Sequence, residues 1–295
     1  MSQPKENYSA KLRAKSMVYF VICIILTLIC LVPIYILIIN ATRKHVDIIS
    51  SVSFIPGSNL AANVKKLLND PMFQFDPFIG FKNSAIIAVG STVLSVFFSA
   101  LTAYGLVVYD FKLRGPAYTF ILVVMMVPMQ VTSVGFLQFM IKLGLSDSFI
   151  PLIVPTIAAP AIVFFMRQYL KSSFPLDIVE AARIDGCGEF RTFLTIAIPM
   201  MKPAIAVQAI FAFIQNWNNF YQPSMILVSR KFEQITMPMM INMLKSNDKI
   251  ADYGVIYAGI ALSIIPVVVI YLLLSRFIVE GVALGGVKEL SLIHI

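Results

Sequence analysis

Six stretches of this chain are long and apolar enough to cross a bilayer, and none contains Asp, Glu, Lys or Arg. They run Met17–Asn40, Asn83–Tyr109, Ala117–Ile141, Ser148–Met166, Pro203–Ser229 and Tyr253–Ser275. A hydrocarbon core about 30 Å thick takes about 20 residues of helix. Within it every backbone N–H and C=O must be paired inside the protein, which for separate spans means helices. The expected fold is therefore all-α, a polytopic membrane protein with six transmembrane helices. Composition agrees: of 295 residues 59% are hydrophobic and 13% charged, against about 45–50% and about 25% in soluble domains. A mean hydropathy of +0.86 excludes a soluble enzyme, a disordered chain and a secreted disulfide scaffold. The first run is too long for a signal peptide and lacks a small-residue cleavage site, so it reads as a retained helix.

The formal charge is +8. In so apolar a chain this excess suits an anionic membrane surface rather than nucleic acid. Lys5, Lys11, Arg13 and Lys15 precede the first span and place the N-terminus on the cytoplasmic side. An even number of spans then returns the C-terminus to the same side. Residues 1–16 read as a cytoplasmic tail and 17–288 as the membrane domain. The last residues, Ser291 to Ile295, resemble a translated adapter junction, and 289–295 reads as a tail outside the fold.

Catalytic equipment is lacking. Cys23, Cys30 and Cys187 are scattered, and His45 and His294 are isolated, so neither metal binding nor nucleophilic catalysis is expected. No phosphate-binding GxxxxGK[ST] loop occurs, so the chain is not expected to hydrolyse nucleotide. Ionisable residues inside spans mark ion and proton pathways. Their absence here argues against an ion-coupled carrier working alone.

Arg167–Lys202 is too polar to insert. Ser172, Ser173 and Pro175 read as a helix start, the sequence from Leu176 to Asp185 continues it, and Gly186 ends it in a left-handed conformation. Phe190, Phe193, Leu194 and Ala197 then share one face of a second amphipathic helix, closed by Pro199 and Pro203. Two readings stay open. In the first, this is a knob seated in another protein's groove through Ala181 and Ala182, with Glu180, Arg183 and Asp185 at the rim. In the second, both helices lie on the membrane surface.

Uncharged polar residues occur at membrane depth. Gln130, Thr132, Ser133 and Gln138 sit beside Pro128, a kink site. Gln215, Asn216, Asn218, Asn219 and Gln222 surround the only tryptophan, Trp217. Amides with an aromatic ring suit a sugar, and Gln130, Gln215, Trp217, Asn218 and Gln222 are the candidates to line a path. Amides also bind helices to one another in membranes, the reading adopted for Asn216 and Asn219. The loop from Ala41 to Lys82 holds a short helical stretch, Gly57 to Leu68, either a docking surface or a cap over the spans.

The run Glu180-Ala181-Ala182, then Gly186, Ile196, Ile198 and Pro199 closely resembles the EAA loop of ABC importer permeases. Ile198 and Cys187 stand where that family usually has Leu and Ala. Other segments resemble its carbohydrate-uptake branch, the maltose-type second permease: Asn83-Ser84, Ser99 to Tyr104, Leu143-Gly144-Leu145, Trp217 to Phe220, Thr236-Met237-Pro238 and Gly285 to Lys288. The resemblance covers about Asn83 to Lys288, with a transporter core near 79–280. It departs at Glu289, where the family often has glycine.

The resemblance implies one permease subunit of an ATP-driven, binding-protein-dependent sugar importer, with an oligosaccharide as cargo. The implied partners are a homologous permease, two ATP-binding cassette subunits that hydrolyse ATP with Mg, and an extracytoplasmic solute-binding protein. Glu180, Ala181, Ala182, Arg183, Asp185 and Gly186 map to the coupling element that contacts an ATPase. The chain itself is expected to hold no cofactor and to lie in a bacterial or archaeal cytoplasmic membrane. The alternatives are an ABC permease for a sugar phosphate or peptide and, from another class, an ion-coupled secondary carrier.

Overall fold

The computed structural model describes the backbone of residues 5–229, 231–246 and 252–290, and side chains from 13 to 275 apart from 14, 129, 230 and 246–251. The adapter-like stretch 291–295 lies outside the described residues. Those described form helices and connecting turns without a strand. Four helices are long and apolar enough to cross a membrane, or six if each of two bent pairs counts as one span. The chain divides into two compact units, residues 1–75 with 243–262 and residues 76–242 with 263–295.

In the first unit α1 (Lys5–Ala41) is followed by α2 (His45–Ser50) and α3 (Leu60–Asn69). From Met17 to Leu31 α1 is exposed throughout, as a lipid-facing helix must be. Only its end packs: Ile39 and Ala41 are buried, and Asn63 of α3 donates to the carbonyls of Ala41 (2.8 Å) and Arg43 (2.9 Å). The stretch Gly57 to Leu68 thus contains the expected short helix. A Cβ on Gly254 would stand 2.5 Å from the Arg43 carbonyl oxygen, so the start of the last helix needs glycine there.

The second unit is built on α4 (Pro77–Val108). Asp76 caps it, accepting from the N–H groups of Phe78 and Ile79, and Arg114 donates to the carbonyls of Leu106 and Val107 at its other end. Small residues, Ala88, Ser91, Ser95, Ser99, Ala100 and Ala103, are buried along it. They let other helices approach closely, the usual packing logic within a membrane. Next come α5 (Arg114–Met125) and α6 (Met129–Lys142). They are separate helices at 97°, because Pro128 takes an extended conformation and supplies no N–H.

The fourth span is also interrupted. It comprises α7 (Ile150–Ile153), a 3-10 turn (Val154–Ile157) and α8 (Pro160–Ser173). Pro155 leaves the Leu152 carbonyl without a helical donor, and α4 supplies a hydroxyl: Ser91 donates to Leu152 O (3.1 Å). Ser99 of α4 adds a long contact to Ala159 O (3.4 Å), the carbonyl that also accepts the Val163 N–H of α8. The helix also runs seven residues beyond Met166, so Ser172 and Ser173 end it and do not cap the next. Met166, Leu170 and Phe174 bury one stripe at a four-residue repeat, which carries the segment past its polar outer face. Arg167 lies within this helix, its guanidinium 3.7 Å from the centre of the Tyr118 ring.

α9 (Asp177–Ile184) leads through a glycine turn to α10 (Glu189–Thr192), a π-helical turn (Phe193–Ala197) and α11 (Ile198–Met200). The wider π turn undoes the expected shared face: Phe193 and Ala197 are buried while Phe190 and Leu194 are exposed. α12 (Lys202–Trp217) follows at 80° and packs on α4. It stops at Asn218, and α13 (Tyr221–Ile226) begins anew, so the fifth span too is broken. α14 (Met237–Ser246) and α15 (Tyr253–Leu290) complete the chain. Two of the sequence segments noted above meet here: Asn83 donates to Glu233 O and Ile235 O, and Ser84 Oγ accepts the Met237 N–H.

Candidate functional site

Both features of functional interest lie in the second unit. The first is a cavity of about 830 Å³ between the broken spans. Its walls come from where helices stop: the start of α6, the α7–α8 interruption, the last turn of α12 and the start of α13. A broken helix exposes backbone and short polar side chains to an interior, which in a membrane is tolerated only where protein or water meets it. Ser95, Thr132 and Ser133 contribute hydroxyls, Gln130, Gln215, Asn216, Asn219 and Gln222 contribute amides, and among the described residues no carboxylate, Lys, Arg or His lines the space.

The amides divide by their partners. Asn216 donates to Ala212 O within its own helix, and Asn219 both donates to Gln222 Oε1 (2.8 Å) and accepts the Gln222 N–H (3.2 Å). Neither joins one helix to another, as adopted from the sequence; both secure the helix break and line the cavity. Gln130 and Gln215 are exposed to the space, and their amides make no side-chain hydrogen bond to a described residue. Asn218 caps α12 and is exposed, but lies outside the cavity wall.

Trp217 is not in the cavity wall either. It is 3% exposed, stacked between Phe213 (5.6 Å) and Phe81 (6.1 Å), and its indole N–H donates to Ser263 O (3.1 Å). Expected beside the solute, it is a core residue, because its one polar group has a buried partner and its faces have aromatic ones. Tyr221, by contrast, lines the cavity, its hydroxyl 2.9 Å from Ser133 Oγ. Sequence reasoning passed over it. The signal that could have found it is a tyrosine set among the amides Asn218, Asn219 and Gln222 at membrane depth.

The second feature is the protruding turn. α9 buries Val179 in one cluster with Leu170, Phe174 and Phe193, and Ala182 is buried as well, while Glu180, Ala181, Ile184 and Asp185 are exposed. Ala182 is thus covered by the chain itself, and only Ala181 of the pair is exposed. Gly186 has φ +74°. The Cys187 N–H reaches Ala182 O and the Gly186 N–H reaches Arg183 O, a left-handed helix stop of the Schellman type. Arg183 is not free at a rim: it donates to both carboxylate oxygens of Glu189, at 2.7 and 3.3 Å. That contact holds the Glu189 carboxyl below its usual range and the Arg183 guanidinium above its own.

An uncharged cavity between interrupted spans, together with an exposed helix ended by a glycine stop, fits a membrane permease. The chain belongs to the family of binding-protein-dependent transport system inner membrane components, matching over residues 95–283. It is 35% identical over 268 residues to the arabinooligosaccharides transport system permease protein AraQ of Bacillus subtilis, covering 89% of this chain and 92% of the relative. It is 33% identical over 215 residues to the lactose transport system permease protein LacG of Rhizobium radiobacter, covering 73% and 77%. In fold it is similar to a chain of a bacterial ABC transporter that imports the acidic polysaccharide alginate, with a TM-score of 0.69 at 22% identity, covering 94% of this chain and 98% of the other.

Proposed function

We propose that this chain is a permease subunit that carries an uncharged oligosaccharide across the cytoplasmic membrane in an ATP-driven importer. The carrying observation is the chemistry of the cavity. It offers hydroxyls and amides, three of them glutamines, and no charge, which matches a ligand made of hydroxyl groups. A phosphorylated or ionic solute wants a fixed opposite charge. Relatives named for arabinooligosaccharides and lactose support the same cargo class.

In this reading α5 with α6 make one span and α12 with α13 another, giving six with both termini cytoplasmic. The α9 turn is the EAA loop, with Glu180, Ala181, Ala182, Arg183, Asp185 and Gly186 forming the element that meets an ATPase. Gln130, Gln215 and Gln222 line the path. A homologous permease completes it, an extracytoplasmic binding protein delivers the solute, and two ATPase subunits handle ATP and Mg, this chain holding no cofactor. Rigid-body rocking of helices around a central cavity is a common way to alternate access.

The test is uptake by the reconstituted complex. ATP inside the vesicles, with binding protein outside, is expected to drive accumulation of an arabino-oligosaccharide and not of a sugar phosphate. Accumulation of the sugar phosphate, or of the oligosaccharide on a proton gradient without ATP, overturns the reading.

A further inference from the structure

The turn after α9 contains two glycines, Gly186 and Gly188, and neither would bring a Cβ within 4 Å of another group. Neither position carries a packed side chain, so apart from the backbone hydrogen bonds of the helix stop the joint is soft. On its inner side α9 buries only Val179 and Ala182. A short helix resting on two side chains and leaving through two glycines can tilt. If α9 is pushed by an ATPase, a soft joint absorbs the push before it reaches the spans.

Three side chains straddle that joint. Arg183, the last basic residue of α9, is bidentate on Glu189, the first residue of α10. The hydroxyl of Tyr109, the residue ending α4, donates to Glu189 Oε2 at 2.7 Å. The Arg183 guanidinium lies 5.8 Å from the Tyr109 ring centre. From Tyr109 an aromatic column leads inward: its ring meets Tyr104 edge-on at 6.1 Å, and Tyr104 meets Phe193 at 5.3 Å. Tyr104 and Phe193 are buried.

We infer that Tyr109 and Glu189 are positioning residues: with Arg183 they brace the two-glycine turn and tie the angle of α9 to the end of α4, so that a push on α9 moves the central helix. Exposed ion pairs add little to stability, and this pair is partly exposed. Its role is to choose one orientation among several of similar energy. Bidentate Arg–carboxylate geometry fixes direction as well as distance, and the tyrosine bond gives Glu189 a second anchor on another helix.

This inference rests on the reading of α9 as the ATPase contact. The test uses the assembled complex in nanodiscs, comparing wild type with Glu189→Ala and Tyr109→Phe, the second leaving the ring packing in place. ATP hydrolysis is measured alone and with the loaded binding protein. Both variants are expected to keep the ATPase subunits and basal hydrolysis, and to lose at least about threefold of the stimulation by binding protein, the scale of an exposed hydrogen-bonded pair. Full stimulation in both variants overturns the brace, and so does equal loss of basal and stimulated hydrolysis, which marks a merely structural role. A wild-type complex that never retains an ATPase overturns the underlying reading instead.

Discussion

The hydroxyl of Tyr221 lies 2.9 Å from Ser133 Oγ, joining the first turn of α13 to the first turns of α6. Ser133 also contacts Gln130 O at 2.7 Å, which engages its single proton and leaves Tyr221 to donate. The two residues stand just past the interruptions of two different spans, on the wall of the cavity. A hydrogen bond in that position fixes the distance between helices whose own backbone continuity is lost. Removing it by Tyr221→Phe or Ser133→Ala is expected to cost about 0.5–1.5 kcal/mol. A double-mutant cycle by thermal unfolding should return a coupling of that size, and strict additivity would show the bond carries nothing.

Gln215 and Gln222 present amides to the cavity. Replacing either by leucine keeps the volume and removes the hydrogen bonds, so the KM for oligosaccharide uptake is expected to rise about 3–10-fold per residue. Asn218→Leu, outside the wall, should leave KM in place. The comparison is made by initial uptake rates in proteoliposomes.

Trp217 is the only tryptophan, so intrinsic fluorescence reads one site. Buried between Phe81 and Phe213, it should emit at short wavelength, resist aqueous acrylamide and stay unchanged when oligosaccharide is added. Solute-dependent quenching would place it back on the path.

At Gly186 a Cβ meets no other atom, so Gly186→Ala reports backbone strain alone, about 1–2 kcal/mol for a left-handed residue. That should weaken ATPase retention without abolishing it. Gly186→Pro, which cannot adopt a positive φ, and Glu180→Lys, which reverses an exposed charge on α9, are expected to release the ATPase. Co-purification of the complex distinguishes the three.

The Glu189 carboxyl sits low because Arg183, and then Tyr109, bond to its ionised form. A depressed pKa contributes stability that is present above the ordinary carboxylate value, about 4.3, and is lost as pH falls through the lower folded value. Binding-protein stimulation should therefore show no Glu189-dependent change from pH 8 down to about 5. The brace should open only in stronger acid. Glu189→Gln is expected to remove that acid-dependent step, which ATPase assays over a pH series can follow.

Much of the helical content was legible because it depends on local quantities. An uncharged apolar run becomes a helix in lipid whatever surrounds it, and Gly186 ends α9 where a left-handed residue was expected. Other features were not legible, because they depend on a partner distant in sequence. Pro128 signals a bend, but whether the helix bends or stops depends on what receives the freed backbone. Ser172 and Ser173 have the composition of a cap, yet the buried stripe of Met166, Leu170 and Phe174 makes them the end of the preceding helix.

By itself the sequence determined that this chain forms apolar helices, that the amides at membrane depth have no charged residue among them, and that a polar stretch with a glycine-stopped helix separates the fourth and fifth runs. Tertiary structure decided where the spans break, which amides face the cavity, and that Trp217 faces the core. The physical reason is satisfaction of polar groups in a medium without water. Ser91 gives the Leu152 carbonyl a partner at the interruption of the fourth span, and the Ser263 carbonyl receives the indole N–H, from positions that local pattern does not connect.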